Sequence, residues 1–132
     1  GTENSGISIF IQNERFVVDY NAFDDHSVVR SNIEIPIGYS TLRAQFRRLK
    51  RGGEITIYVN EEPSGSIEIP LFMRMISSVG SSIGYDHGSA VSPQYESPFP
   101  FSGELHQIEI QLAARRASDA DQAQARAENA RQ

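Results

Sequence analysis

Branched and aromatic residues recur at every second position over much of this chain. Ile7, Ile9 and Ile11 alternate with Ser8, Phe10 and Gln12, and Phe16, Val18 and Tyr20 alternate with Val17 and Asp19. Further on, Leu42, Ala44 and Phe46 alternate with Arg43, Gln45 and Arg47, while Ile55, Ile57 and Val59 alternate with Thr56 and Tyr58. Successive side chains of a strand point to opposite faces, so this period predicts strands with one buried and one wet face. Turn-forming groups separate the runs at Asn13-Glu14, Arg51-Gly52-Gly53 and Asn60-Glu61-Glu62-Pro63. Short strands at hairpin spacing predict an all-β fold, an antiparallel β-sandwich of the jelly-roll or lectin-like kind.

The remaining segments fit the same scheme. Ser27 to Ser31 reads as a short strand, Glu34 to Gly38 as a loop, and Ile67 with Ile69 as a continuation of the meander. Leu71 to Ile76 is apolar without alternation, which suggests a buried loop or a short turn of helix. Ile108, Ile110 and Leu112 predict a last strand. The Asn13-Glu14 turn carries a conflict. A two-residue type I′ turn needs positive φ at both positions, and Glu lacks the freedom of Gly there. A type I turn with a bulge, or a strained Glu, is therefore expected.

The tail has a different character. Residues 113–132 hold eight alanines and neither a branched aliphatic nor an aromatic residue. Ser118 followed by Asp119 and Asp121 has the form of a helix start. The expected organisation is a β-sandwich domain over 1–112 and a polar, Ala-rich helical tail over 113–132. The net charge is −5, which disfavours nucleic acid as a partner. No apolar run of membrane-spanning length occurs, so no membrane partner is expected. With zero cysteines, the chain has neither a disulfide nor a thiolate metal site. No export signal opens the chain, and the compartment, cytoplasmic or periplasmic, stays open.

Tyr85, Asp86, His87 and Tyr95 are the candidate binding residues. They sit in a long, turn-dense connection, and such loops often carry function. Asp86 and His87 offer a hydrogen-bonded pair, and tyrosine rings suit sugar or aryl faces. The competing reading makes Asp86 an acceptor of backbone N–H groups in a tight turn, with Tyr95 and Phe99 stapling the loop to the sheet. No catalytic residue and no metal site is expected. Asp86 is the lone acid between Arg74 and Glu96, too few carboxylates for a calcium loop. Asp24-Asp25-His26 offers metal-ligand types, but neighbours on a strand point apart, so a solvated turn is expected. Arg43, Arg47, Arg48, Lys50 and Arg51 place five of the twelve basic residues in nine positions. They read as a wet sheet face that also blunts an edge strand, with an oxyanion-binding strip as the alternative.

Four blocks, in order, resemble the accessory C-terminal domain of bacterial arylsulfatases. The first, Gly6 to Asn21, is a strand, an Asn-Glu turn and a second strand ending Tyr20-Asn21. The second, Ile37-Gly38-Tyr39-Ser40-Thr41-Leu42-Arg43-Ala44-Gln45-Phe46, is similar to the family's Pro-x-Gly-x-x-Thr-Leu-x-x-x-Phe strand. The third, Gly52-Gly53-Glu54-Ile55-Thr56-Ile57-Tyr58-Val59-Asn60, resembles its Gly-Gly-x-Val-x-Leu-x-Val-Asp strand. The closest block is Ile83 to Leu112, with Gly84-Tyr85-Asp86-His87-Gly88-Ser89 and Pro98-Phe99-Pro100-Phe101.

The resemblance implies a non-catalytic structural domain that packs against a sulfatase catalytic domain in cis. That catalytic domain would supply formylglycine, made within a Cys/Ser-x-Pro-x-Arg motif, and a divalent metal for sulfate-ester hydrolysis. Neither belongs to this chain, where Ser92-Pro93-Gln94 and Ser97-Pro98-Phe99 lack the spacing and the Arg. The chain departs from the family where Asn13-Glu14 and Asn60-Glu61 replace Asx-Gly turns. The glycine-rich lead-in is also missing, which leaves a missing first strand open. A lectin-like carbohydrate-binding module is the alternative reading. Self-association through an exposed face or the tail is a further expectation.

Overall fold

The computed structural model describes residues 1–72 and 80–112. These residues are all-β, with β1 (Ser5–Gln12), β2 (Arg15–Ala22), β3 (Asp25–Arg30), β4 (Leu42–Arg48), β5 (Gly53–Val59) and β6 (Glu62–Ile69). They form two antiparallel three-stranded sheets, ordered β1-β2-β3 and β4-β5-β6. The Ala-rich tail over 113–132 lies outside the described residues. Of the Leu71–Ile76 stretch, Leu71 is exposed and Phe72 packs on the core, and the rest lies outside them too.

The alternation places the apolar rows of β2, β4 and β5 between the sheets as expected, whereas Ile7 and Ile9 of β1, 41% and 55% exposed, stay outside the shared core. Phe16, Val18, Tyr20 and Val29 from the first sheet meet Ile55, Ile57, Val59 and Ile69 from the second. Leu42, Ala44 and Phe46 rim this core, while Arg43, Gln45 and Arg47 face solvent. Each residue of this cluster removes a branched or aromatic side chain from water, which is the main favourable term in folding.

The first sheet departs from the one-wet-face expectation. Val17, Asp19 and Asn21, on the face away from the second sheet, are fully buried. Phe10 and Val17 pack there with Tyr95, flanked by Val28, Ala90 and Phe99. The long loop after Gly80 thus covers the outer face, and β2 is buried on both sides. The final strand is a second correction. Ile108, Ile110 and Leu112 form no strand among the described residues, and all three side chains are exposed. Alternation supplies an apolar row, but a strand also needs an edge to pair with.

A bulge brings the sheets together at one side. In β6 the register steps from Tyr58↔Pro63 to Ile57↔Gly65, leaving Ser64 unpaired. Asn32 N–H, just after β3, donates to both Ser64 O at 2.7 Å and Ser64 Oγ at 3.0 Å. Beside it, a Cβ added to Gly65 would lie 2.9 Å from Arg30 O and 3.1 Å from Val29 Cγ2, so the strands approach too closely for a side chain.

The turns resolve the conflict noted above. Gln12↔Arg15, Ala22↔Asp25 and Val59↔Glu62 are directly opposed, so Asn13-Glu14, Phe23-Asp24 and Asn60-Glu61 are two-residue loops. All six turn residues have positive φ, with 51° and 63° at Asn13 and Glu14 and 50° and 66° at Asn60 and Glu61. This is type I′ geometry, whose twist matches the strands. Glu14 and Glu61 bear the strain that glycine would relieve. Accordingly, Glu14→Gly is expected to raise stability by about 0.5–1 kcal/mol, the relieved strain being partly offset by glycine's greater freedom when unfolded. Urea unfolding is the check, and an unchanged or lowered midpoint would contradict the strain.

Candidate functional site

The candidate residues divide between the inside and the outside of the 80–101 loop. Asp86 is its hub. Its Oδ2 accepts from Val91 N–H at 2.9 Å and from the Tyr95 hydroxyl. Its N–H donates to Pro98 O at 2.7 Å, and its own carbonyl accepts from Ser97 Oγ at 2.7 Å. These bonds draw 86, 91, 95 and 97–98 into one knot. Tyr95 fastens that knot to the sheet. Its hydroxyl lies 2.7 Å from Ser8 Oγ on β1. Its ring stacks on Phe99 at 4.6 Å and meets Phe10 edge-on at 4.9 Å. Asp86 and Tyr95 therefore occupy the stapling roles of the competing reading.

Tyr85 and His87 face outward. Tyr85 is half-exposed, His87 is exposed, and their rings meet edge-on with centroids 6.2 Å apart. Asp86 directs its carboxylate to Val91 and Tyr95, away from the pairing with His87 considered above.

Burial, reinforced by the hydrogen bond to the Asp86 carboxylate, pushes the Tyr95 phenol well above its ordinary range, and the Ser8 hydroxyl opposes the shift. The folded chain thus holds a proton that the unfolded chain releases near pH 10. Its contribution to stability is complete below about pH 10 and is lost as pH rises through the folded value. The wild type is expected to lose urea resistance more steeply above about pH 10 than Tyr95→Phe. Equal slopes for the two proteins would rule out Tyr95 as the cause.

A second constellation was hidden in the sequence. Asp19 on β2 is fully buried, and both of its carboxylate oxygens lie 3.0 Å from His26 Nδ1 on β3. His26 Nε2 lies 3.5 Å from Asp24 Oδ1 in the turn. The contact fixes the orientation of the ring. The two-residue Phe23-Asp24 turn creates this arrangement by setting Asn21 opposite His26, one diagonal step from Asp19. The sequence signal was an acid inside the apolar run Phe16 to Tyr20. A histidine three residues beyond Phe23 was the other half of it, and joining the two needs the register. Asn21 completes the buried polar set. Its amide donates to Glu3 O at 2.7 Å and Val91 O at 3.1 Å, and its Oδ1 accepts from Asp24 N–H at 2.8 Å. These bonds tie the N-terminal strap and the loop to the same strand. Among the described residues, no three His, Asp or Glu side chains converge to hold a metal ion.

The wet face of the second sheet holds a shallow recess of about 180 Å³ lined by Gln45, Arg47, Glu54, Thr56 and Tyr58. Arg47 pairs with Glu54 at 3.3 Å, Tyr58 donates to Gln45 Oε1 at 3.1 Å, and Arg43 lies 3.8 Å above the Tyr58 ring. Two of the five cations of this strip, Arg43 and Arg47, are thus engaged with neighbours on their own sheet.

No family model, curated protein or solved structure matches the chain.

Proposed function

We propose that this chain is the non-catalytic C-terminal structural domain of a bacterial arylsulfatase, packing in cis against the catalytic domain that hydrolyses the sulfate ester. On this reading the two sheets are the layers of a β-sandwich. The observation that carries it is the use made of Asp86 and Tyr95. The polar groups of the loop that most resembles the family are spent on holding that loop to β1 and on knotting it together. Of the other blocks, the first covers β1, its turn and β2, the second runs into β4 and the third covers β5. The connector before β4 presents Ile33, Ile37 and Tyr39 to solvent, an apolar patch of the kind that meets a partner. Formylglycine and the divalent metal belong, on this reading, to the catalytic domain, and no residue here is assigned to them.

A direct test uses the purified chain and a chromogenic aryl sulfate, where turnover would end the proposal. A separately expressed catalytic domain bearing Cys/Ser-x-Pro-x-Arg is expected to bind this chain, and Ile37→Asp to weaken that binding. The second reading, a lectin-like module, draws on the polar recess beside Tyr58. Glycan binding at that recess, abolished by Tyr58→Ala, would favour it instead.

A further inference from the structure

We propose that the outer edge of β4 is a strand-addition site, and that its occupant is the segment Glu104–Leu112 of a second copy of this chain. β3 and β6 approach each other at Gly65, and among the described residues no strand pairs with the outer edge of β4. An unpaired edge presents a row of free N–H and C=O groups, a template for a further strand. β4 offers a two-faced pattern, with Leu42, Ala44 and Phe46 half-covered at the core rim and Arg43 and Arg47 outside.

Glu104–Leu112 carries the complement. Ile108, Ile110 and Leu112 are 50%, 79% and 87% exposed, and they alternate with Glu109 and Gln111. With Ile110 opposite Ala44, Ile108 and Leu112 fall opposite Leu42 and Phe46 whichever way the added strand runs. Glu109 then lies on the arginine face, directly across from Arg43 in a parallel pairing and diagonal to Arg43 and Arg47 in an antiparallel one. A slip of one residue would turn the isoleucines toward the arginines, so the two rows together specify the register. Charge also selects β4 over β1, the outer strand of the other sheet. β1 has no charged residue, and its outer face is covered by the loop that holds Asp86.

The donor is assigned to another copy because this chain's own segment, among the described residues, pairs with no strand of its own chain. Phe101 N–H donates to Gly84 O at 2.7 Å where the segment leaves the loop, and beyond it the His106 ring meets Tyr39, just before β4, with centroids 5.5 Å apart, while the apolar row is left in solvent. Reciprocal exchange about a two-fold axis would cap both β4 edges in one closed dimer.

The chain contains no cysteine, which makes cross-linking clean. Ala44→Cys and Ile110→Cys chains, mixed and oxidised, are expected to give a heterodimer far in excess of either homodimer. The unmodified chain should run as a dimer in light-scattering chromatography. Ile108→Ser/Ile110→Ser and Glu109→Lys alter exposed positions and should leave circular dichroism unchanged. Both should weaken association by at least about tenfold. A chain that stays monomeric up to about 1 mM overturns the proposal. So does an Ala44→Cys/Ile110→Cys double variant that closes only within one chain, or a dimer that both donor variants leave intact.

Discussion

Tyr95→Ala is expected to cost about 3–5 kcal/mol, a large share of the roughly 5–15 kcal/mol available to a domain of this size. The ring is 9% exposed and lies between Phe10 and Phe99. Truncation opens a cavity over Val17 and leaves the Asp86 carboxylate and Ser8 hydroxyl without their shared partner. Tyr95→Phe separates the two effects. It keeps the packing and removes the hydroxyl, so a cost of about 1–2 kcal/mol is expected. Urea unfolding measures both. A ligand-binding tyrosine held loosely in a loop would give a much smaller loss, so an alanine variant within about 1 kcal/mol of wild type would reject the stapling role.

Ile57→Ala is expected to cost about 3–4 kcal/mol. Ile57 is fully buried at the middle of β5, in the cluster that both sheets share. Its opposite number on β6 is Gly65, which has no side chain to move into the space. Gly65 is itself pressed against Arg30 O, so the backbone has little room to collapse inward. Poor collapse places a large-to-small change toward the costly end of its range. The urea midpoint should fall by on the order of 1–2 M with an unchanged slope. A loss below about 1 kcal/mol would mean that the two sheets do not share this core.

Alternation alone was enough to place β1, β2, β4 and β5, because a row such as Ile55, Ile57, Val59 has one sensible use. The same reasoning misjudged β2. Val17 and Asp19 read as a wet face, and only the loop folded over them shows why valine sits there. The turns were half readable: Asn13 and Asn60 marked them, but Glu in a left-handed position runs against local preference and was settled by strand register. The Asp19–His26 pair depends on that same register, which no spacing rule supplies. Ile108, Ile110 and Leu112 show the opposite case, a strand-like pattern whose use depends on an edge elsewhere.

Ser64 carries a consequence for how this protein comes apart. One surplus residue in β6 has both its carbonyl and its hydroxyl committed to the amide that follows β3. Fraying of either sheet near that point strips the other of its partner. Amide protons of β3 and β6 should therefore exchange with solvent through a common opening event, as one cooperative unit with a single protection factor scale. Deleting Ser64 would regularise β6 and, by the same stroke, let the two halves exchange at independent rates.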